Sequence, residues 1–334
     1  MTTSPTCRLT SLVALALLGA CSADSREALT GPGTRLAADL SSSDAPRFSE
    51  WSAPVNLGSG VNTALPQLEP CISKDGLSLF FQCLNCPGGF GGFDIWVAER
   101  ASLDDPWGVP VNLGPTINTE FNDFPSAVST DGHRLYMNSD RPGLGGGDLY
   151  VARRHDKRDN LAWGSPENLG STVNTAADDF QGVPFEDEET GTLTLYFSSN
   201  RPGGAGGIDI YAAPLQPDET FGPAVLVAEL STPSTDQQPA IRRDGLEMLL
   251  TSNRPGTLGG TDLWVATRAT TSDPWSTPVN LGSPVNSPSP DAAPAFSFDG
   301  TQFYFQSGRP GGFGQFDLYV SSRSKLGGGD NLRQ

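Results

Sequence analysis

A single block of sequence recurs five times along this chain, and that repeat constrains the fold more than any other feature. Its clearest marker is an Asp followed by Leu or Ile and then an aromatic residue, at positions 94, 148, 209, 262 and 317, which are spaced 54, 61, 53 and 55 residues apart. A second marker, Trp-x-x-Pro-Val-Asn-Leu-Gly or a close variant, begins at Trp51, Trp107, Trp163 and Trp275. Periods of this length are typical of propellers and solenoids, in which one supersecondary unit is stacked repeatedly.

Each period predicts four short strands, named A to D from the inside of a blade outward. In the second repeat strand A ends before Asp131-Gly132, strand B is 135–138, and strand C begins at Asp148. The Asp-Gly pair suits a tight hairpin because both turn positions favour positive φ. The Trp-x-x-Pro segment is strand D, where proline is tolerated because an edge strand needs fewer ladder donors. Four strands per repeat predict the blades of a β-propeller.

The order of strands at the two ends predicts how the ring closes. The first repeated segment, 51–57, is a D strand, whereas the last, 317–321, is a C strand. The leading D strand can therefore complete the last blade and remove the free edge. We expect an all-β, five-bladed β-propeller of four-stranded blades, closed by its N-terminal strand and spanning residues 48–323.

The residues before the repeat predict export and a lipid anchor. Arg8 precedes an apolar run, and Leu18-Gly19-Ala20-Cys21 is similar to the lipobox of bacterial lipoproteins. We expect 1–20 to be a signal peptide, Cys21 to carry the lipid, 21–47 to be a flexible tether and 324–334 to be a disordered tail. Because Ser22 is not aspartate, we expect attachment to the outer membrane, on its periplasmic side or at the cell surface. The alternative is an ordinary signal peptide that releases a secreted protein.

Charge narrows the range of partners. The formal net charge of −17 disfavours nucleic acid and anionic lipid surfaces. We expect no cofactor, no metal and no membrane contact apart from the lipid, and we expect a monomer.

The repeat also resembles a known family. The pattern Pro-x-x-Ser-x-Asp-Gly, an aromatic run, Ser-x-Arg-Pro-Gly-Gly and Asp-Leu-Tyr resembles the TolB-type, WD-like propeller repeat of bacterial envelope proteins. The resemblance covers residues 48–323 and implies the fold, but propellers carry many unrelated functions. TolB itself has six blades and an additional α/β domain, so its role in the Tol complex is not carried over.

The D–A and B–C connections meet on one face of a propeller, and we expect any ligand or partner to bind there. The candidates on this face are Phe90, Phe93, Asp94, Asp123, Arg141, Asp148, Arg201, Asp209, Asp236, Arg254, Asp262, Asp291, Arg309, Phe313, Phe316 and Asp317. The alternative is that repeated residues serve the blade itself, for example Arg141 pairing with Asp148 across its hairpin. The four phenylalanines, from blades 1 and 5, either anchor a partner or pack against the blades.

Blade 1 departs from the pattern in its cysteines. Cys86 replaces the arginine of the other blades, Cys83 lies three residues before it, and Cys71 is on the adjacent strand A. In an oxidising compartment we expect a disulfide among these three, with the pairing left open. In blade 3 the acidic run 186–189 allows calcium, but we expect a solvated loop.

These observations favour binding over catalysis. We expect a non-catalytic envelope lipoprotein that binds a protein or peptide, with a lectin-like or cell-wall glycan-binding propeller as the alternative. A glycoside hydrolase ranks third, because it needs two carboxyl groups in distinct environments and the acids of the predicted face are copies of one another.

Overall fold

The computed structural model describes residues 47–326, and all of their regular secondary structure is β-strand. Within this part of the chain no helix has the length and apolar character needed to cross a membrane. The predicted signal peptide, Cys21, nearly all of the tether and the end of the predicted tail lie outside the described residues. Export and lipid attachment therefore stay predictions.

Twenty of the strands form five four-stranded antiparallel sheets, which are the blades. The described part of the chain begins with β1 (Arg47–Phe48) and β2 (Val55–Asn56). Blade 1 then contains β3 (Gln67–Ile72), β4 (Ser78–Leu84), β5 (Phe93–Glu99) and β6 (Val111–Asn112). Blade 2 contains β7 (Asp123–Val128), β8 (Arg134–Ser139), β9 (Asp148–Arg153) and β10 (Glu167–Asn168).

The remaining blades repeat this order. Blade 3 contains β11 (Asp179–Glu186), β12 (Leu193–Ser199), β13 (Asp209–Pro214) and β14 (Val225–Leu226). Blade 4 contains β15 (Asp236–Ile241), β16 (Glu247–Ser252), β17 (Asp262–Thr267) and β18 (Val279–Asn280). Blade 5 contains β19 (Asp291–Phe296), β20 (Gln302–Ser307) and β21 (Asp317–Ser322), and β22 (Lys325–Leu326) follows.

The N-terminal strand closes the ring as the sequence predicts. Strand β2 is the outermost strand of blade 5, where Val55 pairs with Val320 and Asn56 with Tyr319. A separate two-stranded sheet joins β1 to β22 beside this closure. The prediction of a five-bladed, all-β propeller closed by its N-terminal strand is confirmed.

The Asp-Gly hairpins between strands A and B form for local reasons. Gly132 has a φ of 79°, a conformation that glycine adopts without the Cβ penalty of other residues. The Asp131 carboxylate accepts hydrogen bonds from the His133 N–H (2.9 Å) and the Ser129 hydroxyl (2.5 Å), which fixes the turn. Strand B, central in its blade, is buried on both faces and reads as a continuous apolar run such as 135–137.

Four arginines at the ends of strands C brace the outer edge of the blades, an element that the sequence analysis missed. Arg154 stacks 4.1 Å above Trp163, and its Nε–H donates to the Gly132 carbonyl (2.8 Å). Arg100, Arg268 and Arg323 make the equivalent stacking and backbone contacts in blades 1, 4 and 5. Each arginine thereby ties a strand D tryptophan to the A–B hairpin of the same blade.

The apolar core lies between neighbouring blades. Between blades 1 and 2, for example, Phe80 and Ile95 pack with Leu135 and Met137, all fully buried. The innermost strands of the five blades surround the central axis. Residues at the same position of these five strands therefore lie near one another, including any that differ between blades.

Candidate active site

The arginines and aspartates of the predicted face are paired with one another inside the blades. Arg309 donates through Nη2 to the Asp291 carboxylate (2.7 Å) and to the Val285 carbonyl (2.6 Å), and through Nε to the Ser307 hydroxyl (2.7 Å). The same arrangement joins Arg141 to Asp123, Arg201 to Asp179 and Arg254 to Asp236. The alternative interpretation expected Arg141 to pair with Asp148. In the structure Arg141 pairs instead with Asp123, the first residue of strand A.

The aspartates that open strand C are also used inside the blades. Asp148 is 1% exposed, and its carboxylate accepts from the Leu144 N–H (2.6 Å), the Gly145 N–H (3.0 Å) and the Asn168 amide (2.9 Å). Asp94, Asp209, Asp262 and Asp317 are equally buried and bind the glycine-rich B–C turn in the same way. These carboxylates hold turns and face away from solvent.

The predicted aromatic cluster divides into two pairs. Phe90 and Phe313 are about half exposed at the tips of their turns. Phe93 packs against Phe124 of the next blade, with ring centroids 5.3 Å apart. Phe316 is partly buried, and its carbonyl accepts a hydrogen bond from the Gln67 N–H. Of the sixteen predicted residues, Phe90 and Phe313 are the ones that present large apolar surface on this face.

Blade 1 replaces the buried ion pair by neutral groups. Cys83 and Cys86 form the disulfide, and Cys71 is a free, buried thiol. Gln67 takes the place of the aspartate that opens strand A in the other four blades, since it pairs with Cys83 as Asp123 pairs with Ser139. Its Oε1 accepts from the Thr63 N–H (2.7 Å), as the Asp123 carboxylate does from Thr119. Loss of the arginine therefore coincides with loss of its aspartate.

A cavity of about 480 Å³ opens at the axis on the opposite face, the face of the A–B hairpins. The innermost strands of all five blades line it. Its aromatic walls are Phe185, Phe296 and Phe298, and its charged lining residues are Lys74, Glu186, Asp187, Glu188, Arg242 and Arg243. Ser126 and Pro294 are the lining residues nearest to the start of their innermost strands, and we call them the floor of the cavity.

The third residues of the five innermost strands form the next layer along the axis, which we call the axial layer. Three of the five are polar, and the residue type differs between blades. Four innermost strands contain a β-bulge with a positive-φ residue at the same position: Glu69 (48°), Gln181 (53°), Gln238 (57°) and Ala293 (53°). Non-glycine residues of positive φ are uncommon, and clusters of them mark functional regions. The N–H of each is held by the preceding blade, as in the bonds from Glu69 to Gln306 (2.9 Å) and from Gln238 to Ser198 (2.8 Å).

Blade 2 departs from this layer because it carries Pro125 at the equivalent position. Proline cannot adopt a positive φ and has no N–H, so its bulge falls one residue later. The Gln82 Oε1 of the preceding blade is left buried without a hydrogen-bond partner among the described residues. The axial layer therefore has one irregular side, next to the strand that carries Glu69.

Glu69 is the one carboxyl group in this axial layer. Its Oε1 accepts hydrogen bonds from the side-chain amides of Gln181 (2.5 Å) and Gln238 (3.5 Å). Its Oε2 is buried and has no partner among the described residues. Burial raises the pKa of Glu69 to about 8, although the two amide donors act in the opposite direction. Glu69 is therefore mostly protonated at neutral pH and can donate a proton.

Three residues of the acidic run of blade 3, Glu186, Asp187 and Glu188, line the cavity. A hydrogen bond from the Thr271 side chain lowers the pKa of Asp187, and bonds from the Thr190 N–H (3.1 Å) and the Glu189 N–H (2.9 Å) act in the same direction. Glu188 pairs with Arg243, whereas Glu186 is exposed and has no ion pair among the described residues. Over 47–326, no group of three or more His, Cys, Asp or Glu is arranged to hold a metal ion.

Glu69 is not among the residues predicted from the sequence, because it lies within an innermost strand and the predicted residues lie at the D–A and B–C connections. The signal was available in the aligned innermost strands, where the third residue is Glu, Pro, Gln, Gln and Ala in turn. Four of these five residues carry no ionisable group, so the carboxyl of blade 1 breaks the symmetry at the axis.

Comparisons with known proteins give matches in structure alone. No family model matches the chain, and no curated protein sequence does. The structure is similar to α-L-arabinofuranosidase from Lactobacillus brevis, with a TM-score of 0.57 and 16% identity over 81% of this chain and 93% of that one. It is similar to endo-arabinase from Bacteroides thetaiotaomicron, with a TM-score of 0.54 and 17% identity over 83% and 99%.

A third match, α-L-arabinofuranosidase from Podospora anserina in complex with cellotriose, has a TM-score of 0.51 and 14% identity over 85% of this chain and 99% of that one. At these identities the similarity establishes the fold.

These matches overturn two expectations from the sequence. The assignment to the TolB-type repeat family is wrong, because the similar solved structures are glycoside hydrolases. The expectation of a non-catalytic protein that binds a protein or peptide is wrong for the same reason. The predictions failed because they rested on the repeated motifs. Asp-Gly, Arg-Pro-Gly and Asp-Leu-Tyr specify the hairpins and buried ion pairs of a blade, and these motifs carry no information about chemistry at the axis.

Proposed function

We propose that this protein is a glycoside hydrolase whose active site is the axial cavity on the A–B hairpin face. One observation carries the proposal, namely that Glu69 is a buried carboxyl with a pKa of about 8 in the layer beneath the cavity floor. Glycosidic bond cleavage requires a carboxylic acid that stays protonated at neutral pH and gives its proton to the leaving oxygen.

The second carboxyl group that this chemistry needs is available on the cavity wall. Glu186 is exposed to solvent and has no ion pair among the described residues, so it can act as the base or nucleophile. The two carboxyls occupy contrasting environments, one buried and one solvated, which separates their roles. This removes the objection from the sequence that the acids are copies of one another.

The rest of the cavity suits a sugar. Phe185 and Phe296 supply apolar faces within the cavity, and its charged lining residues supply hydrogen-bonding groups, while the Gln181 and Gln238 amides bind Glu69 in the layer beneath. A few polar groups within an aromatic cavity of this size are typical of sites for small ligands. The arabinofuranosidases and endo-arabinase of similar fold make α-L-arabinofuranosides and arabinan the first substrates to test.

The test is hydrolysis of an aryl α-L-arabinofuranoside and of arabinan by the wild type and by Glu69→Gln. Glu69→Gln keeps the size and the hydrogen bonds of the side chain but removes its proton, and it should lower kcat/KM by roughly 10²–10⁴-fold. The wild-type rate should fall as the pH rises through about 8, because the acid is lost there.

The matched control is Glu120→Gln, which makes the same change at an exposed residue on the other face and should leave the rate unaltered. Circular dichroism confirms that the variants are folded. A wild-type protein that hydrolyses neither substrate, or a Glu69→Gln variant with full activity, contradicts the proposal.

A further inference from the structure

Several basic side chains that have no carboxylate partner among the described residues lie on the A–B hairpin face. All three lysines of the chain, Lys74, Lys157 and Lys325, line cavities there. On the opposite face the Arg-Pro-Gly arginines all bind buried aspartates, as described above. A net charge of −17 gives no reason for free cations to cluster on one face, so the cluster indicates an anionic ligand.

A groove of about 610 Å³ joins part of this cluster to the axial cavity. It runs over the A–B hairpins of blades 1 and 2, and it shares Lys74 and Phe298 with the cavity. Lys157 and Arg158 lie farther out, and both are exposed. The groove therefore forms a path from the axis toward the rim of the propeller.

The carboxylates of the groove are already engaged. Asp75 caps its hairpin through Ser73 and Leu77, and Asp131 does the same in the next blade. Glu99 accepts a hydrogen bond from the Asn160 amide (2.5 Å). Lys74, Lys157 and Arg158 have no carboxylate within 4.0 Å among the described residues, so they are free to bind an anion from solution.

An aromatic ring holds two cations at the junction of groove and cavity. Phe298 has the Lys74 ammonium 4.4 Å from its ring centroid and the Arg243 guanidinium 4.0 Å from it. Cation–π contacts of this kind place charge without a competing carboxylate. Arg243 also pairs with Glu188, but that pair is exposed to solvent and can exchange for a ligand carboxylate.

We propose that the glycan recognised by this protein is acidic, a polymer containing uronic acid residues that lies along the groove and enters the axial cavity. This deepens the proposed function and rests on it for the identity of the cavity as a sugar site. Regularly spaced carboxylates on a sugar chain match cations spaced along a groove. A nucleic acid or a lipid surface carries a denser negative charge, which the protein's own charge repels more strongly.

The test is binding of the full chain to polygalacturonate and to neutral arabinan, measured by affinity electrophoresis at low and high salt. We expect polygalacturonate to bind more tightly and its binding to weaken with salt. Lys157→Gln/Arg158→Gln should weaken binding roughly tenfold at low salt. The control, Arg47→Gln/Arg153→Gln, removes the same charge outside the groove and should bind as the wild type does.

Equal affinity for the two polymers overturns the proposal, as does equal loss in the two double variants. Tighter binding of DNA or of anionic vesicles than of polygalacturonate also overturns it. Binding and hydrolysis are separate readouts, so the two proposals can fail separately. Selective binding without turnover refutes only the hydrolase, whereas turnover of arabinan without preference for the acidic polymer refutes only the acidic substrate.

Discussion

Glu69 differs from the buried aspartates of this chain in its partners. Asp123, Asp179, Asp236 and Asp291 each have an arginine, and the aspartates that open strand C have backbone N–H donors. Where the arginine is missing, in blade 1, the aspartate is replaced by Gln67. The pattern avoids unpaired buried charge, which is costly. Glu69 breaks the pattern, and such exceptions are expected at functional sites.

Glu69 should make the protein less stable as the pH rises. Its pKa in the folded protein, about 8, is higher than the 4.5 of an ordinary glutamate, so the folded state retains a proton that the unfolded state releases. Stability from this group is complete below pH 4.5 and falls between that value and about 8, by up to a few kcal/mol. Glu69→Gln should remove this loss and raise Tm at pH 8–9 relative to the wild type.

Calorimetry of both proteins at pH 5 and at pH 8–9 measures this effect. The difference in Tm between variant and wild type should be larger at the higher pH, and Glu120→Gln should give the same difference at both. A difference that does not change with pH would mean that Glu69 is ionised at neutral pH, which would also remove its role as an acid.

At the level of strands, the buried ion pair is the unit that fastens strand A to strand B. Arg254 and Asp236 are the most buried example, at 7% and 0% side-chain exposure. Arg254→Met leaves the Asp236 charge buried and uncompensated, and it should cost roughly 3–5 kcal/mol of unfolding free energy. Urea denaturation gives the value directly.

The double variant Asp236→Asn/Arg254→Met imitates the neutral arrangement that blade 1 uses. It should recover more than half of the loss, because the orphaned charge and not the lost attraction dominates the cost. The opposite result, a double variant as unstable as Arg254→Met, would show that the hydrogen bonds of Arg254 to Ser252 and to the Leu230 carbonyl carry the stability.

The sequence predicts strands and hairpins better than it predicts side-chain partners. Asp131-Gly132 specifies its turn through contacts within five residues, so the turn can be recognised locally. The partner of Arg141 cannot be recognised in this way. Asp148 is nearer to it in sequence, but strand pairing places Asp123 beside Ser139 and within reach of Arg141. The stacking of Arg154 on Trp163 was missed for the same reason.

At the scale of the whole molecule, repetition reveals the fold and hides the site. Five similar repeats indicate five blades and their closure, because each copy supports the assignment of the others. The candidate site lies where the copies disagree, at Glu69, Pro125 and Ala293 around the axis. No motif marks those positions, since they become neighbours only when the ring closes. The resemblance to the TolB-type family was likewise drawn from the motifs that the repeats share, and it was wrong.

The sequence predicts that β2 closes the ring, and the structure confirms it. Removal of β2 should therefore lower the stability of the entire propeller. A chain that begins at residue 59 lacks β2 and Trp51, whereas a chain that begins at Arg47 keeps both. Trp51 packs against Phe303 (4.6 Å between ring centroids) and beneath Arg323 (4.0 Å), so its loss opens the core between blades 4 and 5.

The shorter chain should also expose the edge of β21, whose backbone groups normally pair with Val55 and Asn56. An unpaired strand edge is a template for association with another copy. We expect a Tm lower by roughly 10 °C or more, since losing several kcal/mol shifts a domain of this size by a few degrees per kcal/mol. Sedimentation should show oligomers of the shorter chain. If both chains melt together and stay monomeric, the four remaining blades do not depend on closure, and the propeller behaves as an open stack of independent repeats.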